Sequence, residues 1–78
     1  GLQRLGNRDA LAACLQAIAR ELGTGPITVG AVEYARFAAE PAVIVRFAAA
    51  DGEWVWASGA DCGLPGVGAD TLHPVKVG

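Results

Sequence analysis

"AVIVRFAAADGEWVWASGADC", residues 42–62, decides the fold of this chain. Ala42–Phe47 is almost continuously apolar, as a central strand covered on both faces would be. Asp51-Gly52 is a two-residue hairpin signal. Glu53–Ser58 then alternates, with Trp54 and Trp56 on one face and Val55 and Ala57 on the other. Two such runs around a tight turn predict an antiparallel pair. The second run leads into "GADCGLPGVGAD" (59–70), a glycine-rich loop that carries one of the chain's two cysteines.

Working back toward the N-terminus, the period changes. Leu11, Cys14, Leu15, Ile18, Ala19 and Leu22 recur at helical spacing and form one apolar stripe. Asn7 is placed to cap that helix, Asp9 sits in its first turn, and Gly23 stands where a left-handed terminator belongs. Residues 1–6 are expected to be flexible. "ITVGAVEYARF" (27–37) is rich in β-branched and aromatic residues, but its alternation changes phase near Gly30–Ala31, which predicts a bulge. "AAEPA" (38–42) reads as a turn, with Pro41 tolerated only where the next strand starts. "TLHPVKV" (71–77) reads as a last strand, at an edge because of Pro74. The order α-β-β-β-β predicts an α+β domain: one N-terminal helix packed on a small antiparallel sheet of about four strands. No repeat or linker divides the chain, so residues 1–78 are expected to form a single domain.

The chain has 78 residues, near the lower limit for a single unassisted core. Although 53% of it is hydrophobic, much of that is alanine, so the effective core of Leu, Ile, Val, Phe and Trp is modest. A crosslink would matter in such a domain. Net charge is −2, and the basic residues Arg4, Arg8, Arg20, Arg36, Arg46 and Lys76 are scattered. Phosphate neutralisation needs clustered cations, so nucleic acid and anionic membrane surfaces are disfavoured as partners. No run approaches the ~20 apolar residues that cross a bilayer, and no signal-peptide pattern opens the chain. A targeting or anchoring element, if the domain is exported, is expected outside this sequence.

Three readings compete for Cys14, on the buried helix stripe, and Cys62, in the loop. A zinc site needs about four ligands, usually in closely spaced pairs, and Cys14, Cys62 and His73 are widely separated. A nucleophile at Cys62 would want His73 beside it and an acid such as Asp70, but no known nucleophile motif surrounds it. Two unpaired thiols suit Cys14 as a small hydrophobe but suit an exposed loop poorly. A disulfide suits both positions, and it implies an oxidising compartment. The residues offer no further metal, cofactor or catalytic set. Glu33, Glu40 and Glu53 are dispersed and read as solvated, and "GLPGVGAD" lacks the strand–GxGxxG–helix setting of a phosphate cradle. Trp54 and Trp56 are expected to cover the core; an exposed pair would instead offer a contact surface for a sugar, peptide or lipid.

"ALAACLQAI", "PITV", "VEYARFAAEPAVIVRF" and "VWASGADCG" together resemble the extracytoplasmic C-terminal region of actinobacterial membrane-anchored anti-sigma factors. Cys14-Leu15 matches the helix cysteine of that pattern, and Pro26 and Val29 match the piece that follows. Ala35, Phe37, Pro41, Ala42, Ile44 and Val45 match its middle segment, and Val55-Trp56, Gly59 and Cys62 its strand end. Phe37 stands where the pattern has Tyr, Ala39 where it has Gly, and Ala57-Ser58 replaces two apolar residues.

The resemblance implies a non-enzymatic outer domain, sensory or protective, of a single-pass membrane regulator of transcription, with Cys14 and Cys62 as a structural disulfide. It implies contact with the membrane through a helix not present here, and with a sigma factor only through a missing cytoplasmic part. Proteins outside the membrane, a site protease or a signalling protein, are the implied direct partners. A secreted binding module that uses the Trp54/Trp56 face is the alternative.

Overall fold

The computed structural model describes residues 2–78. A 3-10 turn (Gln3–Gly6) leads into helix α1 (Arg8–Leu22), followed by strands β1 (Thr28–Phe37), β2 (Glu40–Ala49), β3 (Gly52–Gly59) and β4 (Thr71–Lys76). The helix starts where its sequence says it should. Asn7 is extended, and its side-chain oxygen accepts the N–H groups of Asp9 and Ala10 at 2.9 and 3.2 Å. It ends at Gly23, with φ 78° and its N–H donated to the Ala19 carbonyl. The buried face is Cys14, Ala17 and Ile18, so the stripe is centred one step toward Ala17 from the expected set.

The strands form an antiparallel meander in the order β1-β2-β3-β4. The register slips between Val29 and Ala31, which is the bulge expected at Gly30. Pairing of Ala49 with Gly52 makes the second hairpin loop Ala50-Asp51, one residue earlier than the Asp51-Gly52 signal suggests. Gly52 instead opens β3 at φ 134°, where a Cβ would run into the Gly78 carbonyl. β4 lies at an edge, as Pro74 requires.

β2 departs from the expectation of cover on both faces. Val43, Val45 and Phe47 are buried against the helix, whereas Arg46 and Ala48 on the other face are exposed and Ile44 is half-buried. One helix can cover only one side of a sheet. Part of the second side is closed by side chains alone. Phe37 and His73, on the two edge strands, stack with centroids 5.4 Å apart across the end where Ala42 and Ala57 are buried.

Of the leading residues 1–6, Gly1 lies outside the described residues. Leu5 is fully buried in the same cluster as Cys14, Ile18, Val43, Val45, Trp56 and Cys62. The Tyr34 hydroxyl donates to the Leu5 carbonyl at 3.0 Å, holding the 3-10 turn against β1. In a chain short of large side chains, Leu2 and Leu5 of the leading turn thus join Leu15 and Leu22 of the helix in or against the core. Among the described residues, no helix is long and apolar enough to cross a membrane.

Candidate functional site: the disulfide seam

The centre of α1 and the exit of β3 meet at a disulfide. Cys14 and Cys62 are joined with an S–S distance of 2.02 Å and a Cα–Cα distance of 4.9 Å, across 48 positions of sequence. Both residues are fully buried. A bridge closing a loop of that length contributes ~4 kcal/mol by the chain-entropy account, a large share of the stability of so small a domain.

The loop around Cys62 is built to reach the helix. Gly63, at φ +85°, lies against the helix backbone: a Cβ there would come 2.5 Å from the Cys14 nitrogen and 2.8 Å from its Cα. Only glycine fits both the conformation and the space. From the other side, one Arg4 nitrogen donates to the carbonyls of Ala60 and Cys62 at 3.0 and 2.6 Å. Within the loop, the Gly63 N–H donates to the Gly68 carbonyl at 2.7 Å and Val67 to Leu64 at 3.0 Å. Asp70, at φ 46°, closes its base. Its carbonyl accepts from Gly59 at 2.8 Å and its carboxylate from the Asp61 N–H at 3.2 Å. A Cβ on Gly59 would displace the Asp70 carboxylate from this place.

A second tie joins the far end of the helix to the sheet. The Thr71 hydroxyl accepts from the Trp56 indole N–H at 3.2 Å and donates to the Glu21 carboxylate at 2.7 Å. β3, β4 and the last turn of α1 are thereby held through one oxygen atom.

The two tryptophans lie on the helix side of β3, with ring centroids 5.8 Å apart. Trp56 is buried, at 3% exposure. Trp54 is half-buried, and its indole donates to the Asp51 carboxylate at 3.0 Å. The residues weighed as a nucleophilic set are not brought together. The Cys62 sulfur is spent in the bridge, Asp70 serves the loop backbone, and the exposed His73 stacks on Phe37. Among the described residues, no group of His, Cys, Asp and Glu could hold a metal ion.

Several residues of the seam carry little sequence signal. Arg4, Leu5, Thr71 and Glu21 act over 15 to 58 positions of sequence. The one available hint was Leu2 and Leu5 at helical spacing just before the Asn7 cap.

A buried, glycine-accommodated disulfide between a single helix and a four-stranded meander defines a crosslinked α+β domain of the kind built for oxidising surroundings. The family model of the anti-sigma factor RsmA C-terminal extracellular domain matches residues 2–77, and the chain belongs to that family. It is thus an extracellular domain of an anti-sigma factor. No curated protein and no solved structure matches the chain.

Proposed function

We propose that this domain is the protective and signal-receiving outer part of a transmembrane anti-sigma factor, without catalytic activity of its own. The observation that carries this reading is the buried Cys14–Cys62 bridge in a chain matched almost end to end by the extracellular family. A domain closed in this way resists local opening, because the crosslink and the loop packed on it restrain α1, β3 and β4 together. In that role it shields the segment that tethers it to the membrane from a site protease. A protein contact outside the cell relieves the shielding, and the sigma factor is engaged only by a separate cytoplasmic part.

The test is made in the intact regulator in its own cell. Replacing Cys14 and Cys62 by Ser is expected to make the regulator sensitive to proteolysis without a signal and to raise expression from a sigma-dependent reporter. An intact regulator and an unchanged reporter in the double variant would remove the shielding role.

A further inference from the structure

The two edges of the sheet are unlike. β4 is short and carries Pro74 and Lys76, both of which discourage strand addition. β1 runs from Thr28 to Phe37 with no proline and no lysine, and its residues are exposed except for Val32 and Phe37. Its bulge at Gly30 leaves Ala31–Phe37 as an uninterrupted row of backbone donors and acceptors facing outward. At the start of that row lies an apolar groove of about 360 Å³ between α1 and β1, lined by Ala12, Leu15, Ala19, Pro26, Ile27 and Val29. Arg20 is exposed and lines an adjoining hollow that shares Gln16, Ala19 and Pro26 with the groove.

We propose that this edge and groove take an extended segment of a partner protein as a fifth strand. The inference goes beyond the shielding role above, and it applies to the domain whatever tethers it. A strand laid along Ala31–Phe37 satisfies the open backbone groups, and a side chain at its end reaches Ile27 and Val29 in the groove lining. The chemistry asked of the partner is a proline-free extended run, an aliphatic residue at the end nearest Val29, and an acidic residue within reach of Arg20.

A second copy of this chain fits less well. Two β1 strands paired antiparallel over all of Ala31–Phe37 would centre on Tyr34, which sets the copy's Ala38–Ala39 turn opposite Val29. That turn has only methyl groups to offer the groove.

The experiment selects a displayed library of random peptides, each about ten residues long, on the immobilised 78-residue domain. The enriched sequences are then titrated as synthetic peptides into isotope-labelled domain, with amide shifts as the readout. Enriched peptides are expected to alternate, to avoid proline, and to shift amides of β1 and the Ala12–Ala19 flank of α1. Ala12→Arg, on the exposed helix surface, and Val29→Asp, in the strand, are each expected to weaken binding about tenfold. Spectra unchanged away from the groove identify variants that remain folded, and Ala12→Arg serves if Val29→Asp does not fold. Lack of enrichment, or shifts confined to other faces, overturns the proposal. So do β1 shifts that follow domain concentration without peptide, since they assign the edge to a second copy.

Discussion

Gly63 lies against the backbone of Cys14, so closely that the helix and the loop share one van der Waals surface beside the disulfide. The crosslink therefore depends on a neighbour with no side chain. Gly63→Ala would add both a clash with main-chain atoms that cannot swing away and a left-handed strain at φ +85°. The expected loss is about 3 kcal/mol in denaturant unfolding. Loss of less than about 0.5 kcal/mol would mean that the loop does not approach the helix as described.

Replacing both cysteines by Ala is expected to lower stability by up to ~4 kcal/mol, strain aside. Because both sulfur atoms are buried, the native protein should resist mild reductant and then become reactive to alkylation as denaturant is added. Intact mass of unreduced, alkylated protein would show no free thiol. Rapid alkylation of the untreated native protein would contradict the bridge.

The first hairpin turn is made of Ala38 and Ala39 at φ 52° and 69°. Both are left-handed, a conformation that alanine adopts only at a cost and glycine adopts freely. Arg36 steadies the turn by donating to the Ala39 carbonyl at 2.9 Å. Ala39→Gly should raise stability by about 1 kcal/mol, read as a higher denaturation midpoint with an unchanged slope.

Ser58 is wholly buried on the helix side of β3, and its hydroxyl has no hydrogen-bond partner among the described residues. Ser58→Ala removes a buried hydroxyl without making a large cavity. Stability is expected to rise by about 1 kcal/mol in thermal unfolding. A fall of that size would reveal a partner for the hydroxyl.

The Thr71 hydroxyl serves Trp56 and Glu21 at once. Thr71→Val keeps the shape but leaves the indole N–H of a buried tryptophan unpaired, which should cost about 1–2 kcal/mol. Near-ultraviolet circular dichroism of the tryptophans should change, while Thr71→Ser retains both bonds and the spectrum. A loss with Thr71→Ser and none with Thr71→Val would assign the role to the methyl group instead.

The elements and their order are legible from local chemistry. Asn7 and Gly23 bound the helix because caps depend on residues within one turn of each other. Period-two alternation at Trp54–Ala57 and the phase change at Gly30 mark strands and bulge because side-chain direction is set by the backbone a few positions away. The family pattern around the two cysteines points to their pairing, and the buried bridge bears it out. Ala39, where that pattern has glycine, turns out to sit at φ 69°.

Sequence by itself thus determined the helix, its caps, the four strands and the edge position of Pro74. Tertiary structure alone decided which side chains those elements would share: Leu5 in the core, Arg4 on the Cys62 carbonyl, Glu21 on Thr71 and Phe37 on His73. Those partners lie far apart along the chain. Their meeting follows from strand register and from the single face that one helix can cover, and neither is encoded within a few residues of any of them.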